Sequence, residues 1–484
     1  LNTKKIKFIL DIAYFSSQNL PGMKNSFKIF SFLVLLLLPG VASINAQNPV
    51  IQTNFTADPA PMVYKDRVYL YTSHDADSTV NNFFSMYEWR CYSSGDMLNW
   101  TDHGAVASLK NFEWMDKTNG AWAPQCIERN GKFYLYVPIH GEGIAVLVSD
   151  SPTGPFSDPI GKRLVESDHL WQDIDPTVAI DGDGQAYLYW GNPALWYVKL
   201  NKDMVSYDLS IGEKGIVAVD MSTEAFGSKK GPGGKAGSTY TEGPWFYKRN
   251  NMYYMVYAAC GIPEYIAYST STSAEGPWTY RGFIMERDEK LAFTNHAGII
   301  DFKGNSYFFY HDQDLSKGQG FKRSVSIEEF SYNPDGSIPL IIPGKEGVKQ
   351  GLSVLKPFKK IEAETMAWSR GLKTRGNSQT GVYVTEINDG DYLKLRSVGF
   401  GKGAKLFQAT VASDAEGGRI EIRLDHPDGE LIGTLDVPNT GGWQHWKTAS
   451  CELKKTKGIH DLCFVFRGGR GALFNFDCWN FKRR

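Results

Sequence analysis

Between Asp58 and Asp312 the chain repeats one arrangement of apolar and polar positions five times. The copies are DPAPMVYKDRVYLYTSH from Asp58, APQCIERNGKFYLYVPI from Ala123, DPTVAIDGDGQAYLYWGN from Asp175, EGPWFYKRNNMYYMVYA from Glu242 and HAGIIDFKGNSYFFYHD from His296. Each copy has an opening residue, a short apolar stretch, a polar turn and an aromatic run. That order predicts strand, tight turn, strand. The first tyrosine of the second strand comes 11 residues after the opening in four copies (Tyr69, Tyr134, Tyr253, Tyr307). It comes 12 residues on in the third (Tyr187), where the DGDG turn is longer. Successive openings are 65, 52, 67 and 54 residues apart, and further aromatic-and-turn segments around Tyr92, Val148 and Tyr268 lie in the first, second and fourth intervals. Each unit thus has room for about four strands. Five such units in series predict an all-β chain whose first domain is a five-bladed β-propeller. Five copies in one register argue against a β-sandwich with chance similarity.

The repeat turns a one-dimensional pattern into a candidate site. If the first strand of each unit is innermost, Asp58, Ala123, Asp175, Glu242 and His296 ring one end of the central channel. Acidic side chains are rarely buried without a partner or a task. Carboxylates gathered in a funnel repel one another and are desolvated, which drives their pKa values apart and suits acid/base chemistry.

Composition and the chain ends narrow the class. Lys+Arg 52 against Asp+Glu 53 leaves a net charge of -1, which excludes a partner such as nucleic acid held by bulk positive charge. Residues 1–22 precede the first methionine and read as an upstream extension. Residues 23–46 carry Lys24 and Lys28, the apolar run Ile29–Pro39 and small residues at Ala42–Ala46, the order of an export signal. The apolar run is too short for a bilayer span, so the mature chain is expected to be periplasmic or extracellular and free of the membrane. The six cysteines lack C-x-x-C spacing and read as buried thiols rather than zinc ligands.

Residues 47–342 form the predicted propeller and residues 343–357, with Pro343, Gly344, Gly347, Gly351 and Pro357, a connector. From 358 to 484 short alternating segments such as Arg419–Arg423 and Cys463–Phe466, with glycine-rich turns, predict a β-sandwich of the jelly-roll kind.

The Asp opening the first unit, the Asp of I-D-P-T-V in the third, the Glu of T-E-G-P in the fourth and Trp122-Ala123-Pro124 resemble glycoside hydrolase family 43 over roughly residues 52–339. The resemblance implies an inverting, exo-acting hydrolase of plant polysaccharides. It assigns Asp58 as general base, Glu242 as general acid and Asp175 as the group that holds the acid and raises its pKa. It further implies that His296 faces a metal ion or water in the channel and that Arg323 reaches the sugar, with Phe83, Trp122, Trp190 and Trp245 as candidate platforms for the C–H face of the sugar ring. Asn48–Gln52, Ala57–Pro61 and Tyr92–Trp100 are similar to the arabinoxylan arabinofuranohydrolases within the family, so release of terminal α-L-arabinofuranosyl residues is expected. A β-xylosidase or exo-galactosidase on the same scaffold is the enzyme rival, and a catalytically inactive glycan-binding protein is the rival of another class.

In the second domain Ile361–Glu364, Asn388–Tyr392, Gly441–Trp446 and Phe474–Trp479 resemble a family 6 carbohydrate-binding module. The resemblance implies a structural calcium held by Glu362, Glu364 and Asp477, and a sugar cleft with Tyr383 and Trp443 stacking and Asn475 hydrogen-bonding. No organic cofactor is expected.

Overall fold

The computed structural model describes residues 47–230, 236–288 and 291–483. The upstream extension and the signal segment therefore lie outside the described residues. Among the described residues no helix is long and apolar enough to cross a membrane.

The five repeats are five blades, each opened by its first strand. Blade 1 comprises Phe55–Tyr64, Arg67–Asp75, Glu88–Ser94 and Trp100–Ser108. Blade 3 comprises Thr177–Ile180, Ala186–Trp190, Trp196–Leu200 and Val217–Ala218. Blade 4 comprises Tyr240–Arg249, Met252–Ala259, Tyr265–Ser271 and Thr279–Met285. Neighbouring strands within each of these blades are antiparallel.

Blades 2 and 5 depart from the four-strand expectation. Blade 2 has Gln125–Arg129, Lys132–Ile139 and Gly143–Ser149, with only an isolated bridge from Val148 to Ser157 beyond. Pro152 and Pro155 fall in the stretch that would start a fourth strand, and a proline cannot donate to the ladder. Blade 5 has Gly298–Phe302, Asn305–Asp312 and Ser324–Phe330. Its outer position is taken by the start of the described chain. The Val50 N–H donates to the Val325 carbonyl at 2.8 Å, and the Asn48 side chain bonds both the N–H and the C=O of Ile327 at 3.0 Å.

Inner strands hold the ring together. The Gln125 carboxamide bonds the N–H and C=O of Val178 at 3.0 and 3.1 Å, joining blades 2 and 3. Thr177 Oγ1 accepts the Phe246 N–H at 2.9 Å, and Trp245 Nε1 donates to the Ile299 carbonyl at 3.1 Å. Between blades 5 and 1 the backbones nearly touch. A Cβ on Gly298 would stand 2.8 Å from the Pro59 carbonyl oxygen and 2.4 Å from Pro61 Cδ, so only glycine fits there.

The sandwich is built on two long strands, Tyr392–Ala412 and Lys447–Arg467, which pair with each other throughout. Register shifts between Leu395 and Leu406 bend them, so each serves both layers. The core between the layers holds Phe407, Phe464, Phe476, Trp479 and Phe481.

The two domains share a ladder and a buried polar junction. Thr365 and Met366 pair with Thr101 and Trp100, adding a fifth strand to blade 1 and covering its free edge. Below that strand Asp102 is buried. It accepts two bonds from Arg90 at 3.1 and 3.2 Å, one from Asn54 at 3.2 Å, one from the Gly104 N–H at 2.7 Å and one from Thr374 of the sandwich at 2.6 Å. Asn99 of the propeller exchanges two bonds with the Arg396 backbone, at 2.9 and 3.0 Å.

Breaking a buried, hydrogen-bonded ion pair by removing one partner leaves the other charge uncompensated. Asp102→Ala is therefore expected to destabilise the protein by about 3–5 kcal/mol in urea denaturation. It should also split one unfolding transition into two, because the junction spans both domains. A loss below about 1 kcal/mol would place this pair among exposed ones.

Candidate active site

The site begins with a backbone feature shared by three blades. Asp58 and Asp175 have φ of +53° and +58°, and Gly243 has +60°. Each is followed by proline (Pro59, Pro176, Pro244), and proline disfavours the right-handed helical region for the residue before it. Asp and Gly are among the residues that tolerate the left-handed region. The ladder shifts register at the same place, between Ala57 and Ala60 in blade 1 and on both sides of Glu242 in blade 4. Such bulges re-aim a side chain out of the strand's alternation.

The structure corrects the register of the fourth repeat. Arg249 pairs with Met252, so the turn Asn250-Asn251 begins eight residues after Glu242. In blades 1, 2 and 5 the turn begins seven residues after Asp58, Ala123 and His296. Gly243, not Glu242, is thus the counterpart of Asp58. The acid of blade 4 enters the channel from one residue earlier, on a side chain one methylene longer.

Four of the five opening residues meet. Asp58, Asp175, Glu242 and His296 line one pocket of about 480 Å3. Ala123 is buried and is replaced in the lining by its neighbour Trp122.

The electrostatics of the acids diverge. Arg323 lies buried between Asp58 and Asp75. Its Nη1 is 2.9 Å from Asp58 Oδ1, and its Nε and Nη2 bond the two Asp75 oxygens at 2.9 Å each. The guanidinium also lies 4.5 Å above the centre of the Phe84 ring. The second Asp58 oxygen accepts the Ser73 hydroxyl, and the Asp58 N–H bonds His311 Nδ1 at 3.1 Å. Burial would raise the Asp58 carboxyl, but Arg323, with His311, His296 and Ser73, holds it below the usual range. Asp58 is therefore ionised.

The other acids move the opposite way. Burial, and then the charges of Glu242 and Asp58, push Asp175 well above an ordinary carboxyl, against the Gly243 N–H that reaches its Oδ2 at 2.9 Å. Burial likewise raises Glu242, whose Oε2 accepts a bond from Asn192. A buried fourth carboxyl, Glu264, sits against Glu242 and is raised well above its ordinary value by burial and by Glu242. The pocket thus presents one charged carboxylate and several carboxyls that resist ionisation, the separation that acid and base partners need. Burial lowers His296, so it is neutral near pH 7.

Aromatic rings form the walls. Trp122 stacks on His140 with centroids 3.8 Å apart, and His140 meets the exposed Trp171 edge-on at 4.1 Å. Phe83, 45% exposed, packs near Phe84 and Phe321. Trp122 Nε1, Thr294 Oγ1 and Asn295 Nδ2, all on lining residues, are buried without a hydrogen-bond partner. Two expected sugar platforms are not there. Trp190 is wholly buried in blade core with its Nε1 on Asp173 Oδ1 at 2.7 Å, and Trp245 is buried between blades 4 and 5. Their strand positions face neighbouring blades.

Several residues here went unread in the sequence. Asp75, His140 and Asn192 each lie 17 residues after the opening residue of their blade, at the end of the second strand. That second periodic position was available as a signal. Glu264 has no counterpart in the other repeats, and only its place in a loop beside the site reveals it.

In the sandwich, Glu362 and Glu364 lie beside Asp477: Glu362 pairs with Cys478, and the Ala363 N–H donates to the Asp477 carbonyl at 2.8 Å. Glu364 Oε2 and Asp477 Oδ1 are buried with no partner, and burial, then Glu362, Asp102 and Asp477, raise Glu364 well above its ordinary value. Glu362 is half-exposed and pairs with Lys360 at 3.0 Å. Oxygen donors left unsatisfied in this way fit a hard cation such as calcium. Among the described residues, no three His, Cys, Asp or Glu side chains already stand in metal-binding geometry, in the channel or here.

Tyr383, Trp443 and Asn475 line a second pocket of about 320 Å3. The expected stacking pair is altered. The Tyr383 ring is buried and meets Trp446 edge-on at 5.3 Å, while Trp443 is exposed. The Asn475 amide is engaged inside the protein, donating to the Trp443 carbonyl at 2.7 Å and accepting from Thr385 at 2.7 Å.

Comparison with known proteins agrees with this architecture. Residues 46–338 match the model of glycosyl hydrolases family 43, and residues 362–483 match the family 6 carbohydrate-binding module. The chain is 36% identical to an arabinoxylan arabinofuranohydrolase of Bacillus subtilis (strain 168), over 91% of this chain and 93% of the relative. A crystal structure of a family 43 arabinoxylan arabinofuranohydrolase from Bacillus subtilis, in complex with cellotetraose, superposes with a TM-score of 0.78 at 33% identity, covering 91% of this chain and 98% of that one. A beta-xylosidase/alpha-arabinofuranosidase from a compost microbial metagenome, in complex with xylotriose and in a calcium-free form, gives a TM-score of 0.52 at 29% identity over 61% of this chain and 96% of its own. With the propeller, its acid-lined pocket and the sandwich module all matched, the chain belongs to glycosyl hydrolase family 43 and carries a family 6 carbohydrate-binding module.

Proposed function

We propose that the protein is a secreted, inverting exo-glycosidase that removes terminal α-L-arabinofuranosyl residues from arabinoxylan or arabinan side chains. The observation that carries the chemistry is the split among the pocket's carboxyls: Asp58 is held ionised by Arg323, while Glu242 and Asp175 are held toward their protonated forms. In this reading Asp58 is the general base. Arg323 and Ser73 take one lone pair on each of its oxygens, and a carboxylate has lone pairs left to orient and deprotonate water. Glu242 is the general acid that protonates the leaving oxygen, with Asn192 fixing its carboxyl. Burial and the charge of Asp58 keep the proton on Glu242, and Asp175, tethered by the Gly243 N–H, tunes it because two carboxyls in one buried pocket resist ionising together. Attack by water on the face opposite the leaving group gives inversion.

The choice of sugar is supported by two relatives, 36% and 34% identical over 91% and 90% of this chain, that are arabinoxylan arabinofuranohydrolases. The aromatic walls at Trp122 and Phe83, with Gln172, Asn192 and Thr294 among the polar lining residues, suit one polyhydroxylated ring. The export pattern at residues 23–46 supports a polymer substrate outside the cell. A β-xylosidase is the second reading, favoured by the likeness to a beta-xylosidase/alpha-arabinofuranosidase. We propose further that Glu362, Glu364 and Asp477 hold a structural calcium ion, and that the pocket at Trp443 binds a polysaccharide.

The expected result is release of 4-nitrophenol from the α-L-arabinofuranoside well above that from the β-D-xylopyranoside, with free arabinose as the product from arabinoxylan. The reverse preference would favour the xylosidase. Asp58→Asn and Glu242→Gln should each lower kcat on arabinoxylan by about 10²–10⁴-fold, the usual contribution of general acid–base catalysis. Full activity in either variant would remove that residue from the mechanism. Proton NMR during hydrolysis should show the β-anomer of arabinose first, and the α-anomer first would reject inversion.

Calcium removal has its own readout. EDTA should lower the melting temperature of the full chain, and added calcium should restore it. An unchanged melting temperature in EDTA, with Glu364→Gln as stable as the parent, would reject the metal site.

A further inference from the structure

Glu264 lies in the loop between the second and third strands of blade 4, and it is 1% exposed. Its Oε2 accepts the Asn295 N–H at 2.6 Å, and its own N–H donates to the Phe293 carbonyl at 3.1 Å. The loop is thereby pinned to the segment that leads into His296. The other oxygen, Oε1, is buried with no donor near it, although its carboxyl is within hydrogen-bonding reach of Glu242. Two buried carboxyls in contact with no donor between them have one stable arrangement: a proton lies between them. The Asn295 N–H requires Oε2 to be the carbonyl oxygen. The hydroxyl is then Oε1.

We propose that Glu264 stays protonated throughout turnover and that its Oε1 hydroxyl donates a hydrogen bond to Glu242, making it the positioning residue for the general acid. The proposal rests on Glu242 being that acid. When Glu242 passes its proton to the leaving oxygen and the glycosidic C–O bond breaks, the carboxylate left behind accepts two donors already in place, the Glu264 hydroxyl and the Asn192 amide. Glu264 keeps its own proton, so the proton balance of hydrolysis is unchanged: one proton goes to the leaving group and one comes from water to Asp58. The charged and titratable groups facing the pair are Asp175 and Asp58, with Arg323 the cation, and Tyr240 is buried beside them. Burial and the neighbouring acids both disfavour ionised Glu264, in keeping with a donor that does not titrate during catalysis.

Two substitutions separate this role from a structural one. Glu264→Gln supplies an N–H in place of the hydroxyl and keeps the acceptor for Asn295. It should retain kcat within about threefold, with the alkaline limb of the kcat/KM profile unmoved. Glu264→Ala should lower kcat by about 10- to 100-fold on an arabino-oligosaccharide with KM little changed, as expected for losing a hydrogen bond to a charged group. On a 2,4-dinitrophenyl glycoside, whose leaving group needs no proton, that loss should shrink to a few-fold. If Glu264→Ala fails to fold, the glutamine variant alone decides. A shift of its alkaline limb to lower pH would show that Glu264 works as an anion and overturn the proposal. Equal losses in both variants, equal losses on both leaving groups, or no loss in either would overturn it too. Glu242→Ala on the same two substrates tests the underlying reading separately: if it loses equally on both, Glu242 is not the acid.

Discussion

The site depends on one buried cation. Arg323 binds Asp75 with two nitrogens and Asp58 with a third, in a channel lined also by Asp175 and Glu242, with Glu264 buried against Glu242. A single guanidinium cannot neutralise five carboxyls. It holds Asp58 below the usual range, while burial still raises Asp75 against its bonds to Arg323, and burial raises Asp175, Glu242 and Glu264 as well. Asp58 alone among the five is shifted toward its charged form, and Arg323 rather than any difference between Asp and Glu sets it apart. The guanidinium's place above Phe84 and the Ser73 hydroxyl bond to the Asp58 carboxylate serve the same end, and the Asp58 N–H, donating to His311 Nδ1, holds the backbone in place.

Much of this was legible in the sequence because a propeller repeats its own geometry. Five copies with constant spacing located five inner strands, and their opening residues pointed at one channel. Four of them meet there. The repeat also carried more than was taken from it: the positions of Asp75, His140 and Asn192, one per blade at the end of the second strand, recur with the same period. What a repeat cannot reveal is a residue found in one blade only. Glu264 and Phe321 come from loops, and loop placement follows from tertiary contacts such as the one between Glu264 and Asn295. The aromatic residues show the opposite failure. Trp122, Trp190 and Trp245 look alike in sequence, yet two of them are core, because a blade has neighbours on both faces and tryptophan serves equally well between blades.

The fourth blade shows how a small break in a repeat can matter. Gly243 takes the left-handed backbone position that Asp58 and Asp175 occupy elsewhere, and the acid moves back by one residue. A glycine with no side chain leaves room for His296, whose Nδ1 would stand 3.1 Å from a Cβ there. The extra residue is absorbed by a bulge at the channel rather than by the hairpin, so the outer part of the blade is undisturbed.

The strand that Thr365 and Met366 add to blade 1 has a mechanical meaning. A binding module on a flexible linker acts as a tether, letting a catalytic domain sweep a volume set by linker length. Here the module is welded on by a β-ladder and by Asp102, which takes hydrogen bonds from both domains. Such an enzyme gains no reach when its module grips a polymer. It gains a fixed angle of presentation instead, so one bound orientation of the chain offers a given side branch to the pocket and others do not. Moving to the next branch then requires letting go.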